Sequence, residues 1–365
     1  MSWLINRLFL WVLGRLKRPT APSGILLVSA RGPAEMVFLA AVLPRFMRLS
    51  QDGEPVTLLL RSDAMGMTFL FPRALRLLKV DFGRLAQAGY RWQTFRKLYL
   101  ANYRMVVSLD HRREVDPDEM LIAAARAAET VAMQAAGARA GRSPARYTRL
   151  FDAGPARQDK ILRWSRYADF VTGWRMPPSL ALMPGHRLPE AARLEVPTVV
   201  LFPFSGVAGR QLRPELWTAI LDALPKAWHA RIACHQADLD RNPQYQGLQA
   251  RPHVTVDTSG FDHLASVLRG ARMVIGADTA GTHLSILLGV PTLCLASAAF
   301  VGAGTPYDDA IRPANAHFLF TPMECQGCLG RCPLPAVDGM FPCVARLERE
   351  AVLAAVGDMI ARGGF

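Results

Sequence analysis

An α/β architecture of two domains follows from three features of this sequence. The stretch from Met273 to Ala296, MVIGADTAGTHLSILLGVPTLCLA, reads as a buried strand, a turn at Gly276, a helix and a second apolar strand. Residues 24–61 repeat the order strand, turn, helix, strand, which is what a Rossmann-like half requires. At 365 residues the chain is long enough for two domains, each with its own core.

The first 23 residues stand apart. Trp3, Leu4, Leu8, Trp11, Val12 and Leu16 recur at helical spacing beside Arg7, Arg15, Lys17 and Arg18, and the first acidic residue is Glu35. The apolar run is shorter than the roughly 20 residues that span a bilayer. Its charges sit at its far end, whereas an export signal carries them ahead of the apolar core. Residues 1–23 are therefore read as an amphipathic helix and a linker. Such a helix lies on an anionic membrane face, or else on its own domain or a partner chain. The net charge of +13 suits nucleic acid, anionic lipid or phosphorylated substrates, and charge alone does not choose among them.

The first domain is expected over 24–185. Its strands are 24–29, 56–61 and 105–110, with a helix over 36–49 and an Ala-rich helix over 117–136 capped by Asp116. A crossover segment poor in strand signals runs from 142 to 195, with a helix over 159–167, a break at Pro177 and Pro178, and an interdomain linker at 183–189.

The second domain is expected over 196–345. A buried strand at 197–202 leads through a Gly-rich loop containing Ser205, Gly206 and Arg210 into the helix that carries Trp217. Strands at 230–234 and 254–256 and a helix over 264–269 follow, and Cys234 and Cys294 fall inside apolar strands as core residues. In the 273–296 stretch, a strand end followed by a helix start turns free backbone N–H groups and the positive helix end toward solvent, where an anion binds. Thr279 reads as the N-cap, Gly281 as the point of close ligand approach, and His283 as a first-turn side chain that reaches a phosphate oxygen. Asp278, at the strand end, accepts sugar hydroxyls in this reading. The plainer reading is a strand–helix turn with an ordinary Asp/Thr cap.

Near the C-terminus, Cys325-x2-Cys328-x3-Cys332-x10-Cys343 places four thiols in one short loop. Thiolates at this spacing suit a tetrahedral zinc or iron ion. Four protein ligands leave no open position, so the ion would be structural. Two disulfides are the alternative, disfavoured in a reducing cytoplasm. A terminal helix occupies 346–365.

At Asp278–Pro291 the chain resembles the heptosyltransferase-like glycosyltransferases of family 9, whose pattern is Asp-Thr-Gly-x-x-His-Leu followed by Leu-Gly-x-Pro-Thr. The resemblance extends to Pro203–Trp217 and to the cysteine loop, and is thin in the first domain. It implies the GT-B fold, two Rossmann-like domains facing a cleft, with a nucleotide-sugar, ADP-heptose by analogy, held by the second. On that analogy Ser205 and Gly206 cradle phosphate, and Arg210 offsets charge on the departing diphosphate. Thr279, Ala280, Gly281, Thr282 and His283 hold the donor, Asp278 its sugar, and Asp238 the ribose. The family's first turn reads Gly-Asp with the Asp as base; here the nearest acid is Glu35, displaced by two residues. The resemblance implies no catalytic divalent metal, a terminal helix that braces the first domain, and iron in a subset with similar cysteine loops. It also implies an inverting transfer to a hydroxyl of lipopolysaccharide or another surface glycan; the N-terminal helix favours a lipid-linked one, with the enzyme expected in the cytoplasm, peripheral on the inner membrane face. Two other classes fit parts of the chain. One is an inactive relative serving as scaffold or sugar sensor. The other is a basic nucleic-acid-binding metalloprotein, against which the lack of a recognition module argues.

Overall fold

The structure is a computed structural model that describes residues 3–18, 21–134, 145–155, 157–182 and 188–362. Most of the linker expected at 183–189, part of the linker expected within residues 1–23, and the end of the helix expected to reach residue 136 lie outside the described residues. The chain forms two compact units. The first comprises Met1–Gly154 and Leu162–Pro177, the second Pro155–Ile161 and Pro178–Phe365. The chain thus changes unit three times, where one change between 185 and 196 was expected.

The first unit is built on strands β1 (Ile25–Val28), β2 (Val56–Arg61), β3 (Arg76–Val80), β4 (Met105–Ser108), β5 (Glu129–Met133) and β6 (Arg149–Phe151). They form one parallel sheet in the order β3-β2-β1-β4-β5-β6. Ile25 lies opposite both Val56 and Met105. Every residue of β1 and β4 is buried, as continuous apolar strands covered on both faces must be. Helix Pro33–Met47 follows β1, opens on a proline in its first turn, and buries Met36 to Leu43.

The second unit repeats the plan with β7 (Thr198–Phe202), β8 (His229–Ala233), β9 (Val254–Asp257), β10 (Met273–Ala277), β11 (Thr292–Leu295) and β12 (Ala316–Leu319). Its order is β12-β11-β10-β7-β8-β9, again all parallel. Counted from its own first strand, each sheet reads 3-2-1-4-5-6, the Rossmann order. The strand order reverses between β1 and β4 in one unit and between β7 and β10 in the other. Those reversals put the ligand crevices at the carboxyl ends of these strands. Trp217, Ile220 and Ile275 centre the second core, and helix Arg349–Arg362 adds Val352, Val356 and Met359 to it. The terminal helix therefore belongs to the second unit's own core.

Three expectations change. The helix expected over 117–136 spans only Met120–Ala125, because Arg126 turns left-handed at φ 45° and ends it. The residues behind it become β5, a central strand whose apolar Val131 to Met133 sequence alone could not separate from helix. The crossover segment holds a strand, β6, too short and too near the sheet edge to show a period. At the N-terminus, helix Trp3–Leu13 forms as expected. Among the described residues, no helix is long and apolar enough to cross a membrane.

Candidate functional site

The crevice of the second unit is built from the loops after β7 and β10. β10 ends at Ala277, and Asp278 and Thr279 lead directly into helix Ala280–Leu287. Asp278 is 4% exposed. On one side Arg210 Nη1 lies 3.2 Å from its Oδ2 and 3.3 Å from its backbone oxygen. On the other, His283 Nε2 lies 2.9 Å from its Oδ1, and His283 Nδ1 lies 2.6 Å from the Tyr307 hydroxyl. The four side chains form one relay, buried at Asp278, His283 and Tyr307 and half-buried at Arg210. Burial of Asp278 favours its neutral form, but the His283 hydrogen bond and the charges of Arg210 and Lys160 outweigh it and hold the carboxyl down to about 2. A fixed carboxylate only accepts, so His283 Nε2 carries the proton it donates. Arg210 also lies 4.0 Å above the Phe300 ring, and its buried Nε–H meets no acceptor among the described residues.

The helix start differs in detail from the sequence reading. Thr279 occupies the N-cap with extended backbone, but its side chain makes no capping hydrogen bond. Thr279 and Ala280 are half-buried, whereas Gly281, Thr282 and His283 are buried. A Cβ on Gly281 would stand 2.2 Å from the Phe202 ring. Its missing side chain thus makes room for the Phe202 ring. The Thr282 hydroxyl is spent on the Ala277 carbonyl at 2.7 Å. His283 has both ring nitrogens engaged, one with Asp278 and one with Tyr307. On the neighbouring loop after β7, Ser205 is half-buried and its Oγ accepts the Val207 amide at 3.3 Å, while Gly206 faces open space.

Asp238 lies after β8, one strand removed from the crevice. It caps helix Gln236–Arg241 by accepting the His235 amide at 3.3 Å, and it pairs with Arg241 at 2.9 Å. Asp240 accepts from Gln236 at 3.0 Å. The Asp-x-Asp step that these two make is thus committed to its own helix.

In the first unit, Glu35 stands half-buried in the first turn of helix Pro33–Met47. The crevice between β1 and β4 holds a second carboxylate that sequence reasoning left without a role. Asp110 is 2% exposed and accepts the Ala30 amide at 2.6 Å and the Ser29 hydroxyl at 3.4 Å, with Arg31 Nε at 3.5 Å. Burial pushes it up to about 6 against Arg31 and the Ala30 amide, and the charges of Asp118 and Glu35 act in the same direction as burial. Beside it, burial and then Arg163, Arg112, Arg113 and Arg31 push His111 down to about 4. The signal that could have found Asp110 is its place, an acid closing the buried run Met105 to Leu109.

The cysteine loop is tied to the second unit's crevice. The Gly327 and Leu329 amides donate to the Ala298 and Ala299 carbonyls, each at 2.8 Å. The Phe341 amide donates to the Gly209 carbonyl at 2.8 Å, and a Cβ on Gly209 would strike the Phe341 ring. The loop therefore buttresses both the turn that carries Arg210 and the Phe300 segment beneath it. Cys325, Cys328, Cys332 and Cys343 are all free thiols. Desolvation and the neighbouring Cys332 and Cys328 push the Cys325 thiol up. The donor chemistry suits zinc or iron, but among the described residues no three His, Cys, Asp or Glu side chains are arranged to hold a metal.

No protein-family model and no curated sequence matches the chain. Solved structures do. A family 9 glycosyl transferase from Veillonella parvula aligns with a TM-score of 0.67 over 93% of this chain and 97% of that one, at 13% identity. The E. coli heptosyltransferase WaaC, solved with ADP, aligns at 0.66 over 92% and 99%, at 15% identity. The iron-containing dodecameric glycosyltransferase TibC from enterotoxigenic E. coli aligns at 0.56 over 96% and 78%, at 10% identity. Over more than nine-tenths of its length the chain has the two-sheet GT-B fold of the family 9 glycosyltransferases.

Proposed function

We propose that this chain is an inverting glycosyltransferase that moves heptose from ADP-heptose to a hydroxyl of a surface glycan such as lipopolysaccharide. The observation that carries the reading is the β7/β10 crevice, where a fixed Arg210–Asp278–His283 array adjoins a helix start with no side-chain cap. Backbone amides at a helix N-terminus favour an anion. A cation held in place next to them stabilises charge that builds as a diphosphate departs. Asp278 orients that cation, and through its remaining acceptor capacity it meets the sugar. Ser205, Gly206, Thr279 and the Ala280 amide complete the proposed donor contacts; Gly281, Thr282 and His283 support them from behind. Asp238 reaches a ribose only by giving up its cap. The fold likeness to WaaC, solved with ADP and with ADP-2-deoxy-2-fluoro heptose, supports the choice of donor.

The transfer needs a base to take the proton of the attacking hydroxyl as the new bond to the anomeric carbon forms and ADP leaves with the old bonding pair. Glu35 is the proposed base. The cysteine loop is proposed to take up zinc or iron as a structural ion, a reading supported by the iron-containing TibC; no step of the transfer passes through it. The acceptor is proposed to be lipid-linked, and the enzyme to work in the cytoplasm, peripheral to the inner membrane face.

A second reading, an inactive relative that binds donor as a scaffold or sensor, is favoured by one observation. The first turn places Glu35 behind Pro33 and Ala34, where the family pattern has Gly-Asp. Calorimetric titration with ADP, GDP and UDP tests the shared premise of both readings. Selective ADP binding that Ser205→Trp abolishes supports it, and equal indifference to all three removes it.

A further inference from the structure

Helix Trp3–Leu13 has two unlike faces. Inward, Asn6 is buried, donates to Asp116 at 3.1 Å and accepts from Arg91 at 2.8 Å, while Arg91 pairs with Asp116 at 2.7 Å. The Phe9 ring packs 5.2 Å from Trp92 and 6.4 Å from Phe95, and Leu13 is fully buried. Past the helix, the Tyr99 hydroxyl donates to the Leu16 carbonyl at 2.8 Å, and Arg18 reaches the Ala125 and Arg126 carbonyls at 3.1 and 2.9 Å. These contacts lash the helix to the first unit along its whole length.

Outward, Leu4, Leu8 and Trp11 are 68%, 55% and 56% exposed. Steps of four and three residues align them in a single stripe. Exposed Arg7 adjoins the stripe, and exposed Arg15 stacks its guanidinium 3.2 Å from the Trp11 ring centre. Lys17 is exposed beyond them, and the segment contains no acid.

We infer that this stripe docks the protein on an anionic lipid bilayer, with Leu4, Leu8 and Trp11 in the headgroup–acyl boundary and Arg7, Arg15 and Lys17 on the lipid phosphates. The inference rests on the peripheral placement proposed above and adds the side chains that make the contact and the depth at which they sit. Charge complementarity selects the occupant, because apolar side chains flanked by exposed Arg7, Arg15 and Lys17 match an anionic interface. Tryptophan is enriched at that depth, where its ring spans apolar and polar layers. A second protein is the poorer match, since three side chains cover far less than the roughly 1,000 Å² of a stable interface. One short helix gives reversible binding, not permanent anchoring.

The test is cosedimentation of the full chain with phosphatidylcholine vesicles, with and without phosphatidylglycerol. Wild type binds the phosphatidylglycerol vesicles, and added salt weakens binding. Joint Leu4→Ser, Leu8→Ser and Trp11→Ser substitution weakens binding by at least about tenfold, as expected when the inserted apolar area is lost. The thermal midpoint is unchanged, because these side chains lie outside the core. Joint Arg7→Glu and Arg15→Glu substitution removes the preference for anionic lipid. If wild type and the serine variant bind equally well, the stripe is not the docking surface, although the peripheral placement survives. If wild type binds neither vesicle, the placement itself fails and the inference with it. A serine variant that changes oligomeric mass and not vesicle binding would show a protein interface and overturn the proposal.

Discussion

The Asp278 carboxylate stands 2.9 Å from His283 Nε2 in a site where both side chains are almost fully buried. That contact links the first residue after β10 to the first turn of the helix that follows. It leaves the other carboxylate oxygen to Arg210 at 3.2 Å. The signature residues thus act first on one another, and the array they form holds the Arg210 guanidinium in place beside the crevice.

Tyr307 anchors the far end of that array through its contact with His283 at 2.6 Å. Tyr307→Phe removes the buried hydrogen bond to His283 and is expected to cost about 1 kcal/mol of stability. It also loosens His283, so ADP binding weakens while the fold survives. Urea unfolding alongside calorimetry checks both, and unchanged affinity would separate Tyr307 from the site.

Gly281 is held to glycine by the Phe202 ring. Gly281→Ala overpacks this contact and is expected to cost about 1–3 kcal/mol. Adding Phe202→Leu should recover part of the loss in a thermal melt. No recovery would mean that the glycine serves something other than this packing.

The two crevice acids give opposite pH dependences. Asp278 is held at about 2, below the unfolded value near 4, so its contribution is present above about pH 4 and lost as pH falls toward 2. Asp110 is raised to about 6, so the folded state binds extra proton between about pH 4 and 6. Stability therefore declines as pH rises across that window and then levels, by about 3 kcal/mol for a gap of that size. Denaturant melts of Asp110→Asn should lack this decline, and those of Asp278→Asn should lack the acid limb.

How far the sequence alone reached depended on what each element faces. β1, β4, β7 and β10 are buried on both sides, and their apolar runs were legible without a structure. β3, β6 and β12 lie at sheet edges or ends, where little patterning is required, and they were not. The Asp278–His283 turn was found because its residues are packed densely in sequence. Asp110 and Tyr307 escaped notice because each meets its partners only through the fold, 80 residues from Ala30 and 24 from His283. The packing demand on Gly281 is invisible in sequence, since the ring that imposes it comes from a neighbouring strand.

The cysteine loop supports Gly209 and the 298–300 segment, so its loss should reach Arg210. Elemental analysis of purified protein is expected to find one zinc or iron per chain, absent after joint Cys325→Ser and Cys328→Ser substitution. The same variant should bind ADP more weakly and melt earlier. A metal-free wild type with full ADP affinity would leave the thiols without that role.

Transfer itself is read by incubating ADP-heptose with wild type and Asp278→Asn and following release of ADP, with and without a cell-surface glycan extract. The account predicts slow release by wild type alone, faster release with the extract, and at least a tenfold loss in Asp278→Asn, about 1.4 kcal/mol of transition-state stabilisation. Donor that binds but is never consumed, even with the extract present, would make the chain a scaffold. Donor that does not bind at all would contradict the account and leave the Asp278–His283 turn as a well-packed helix start.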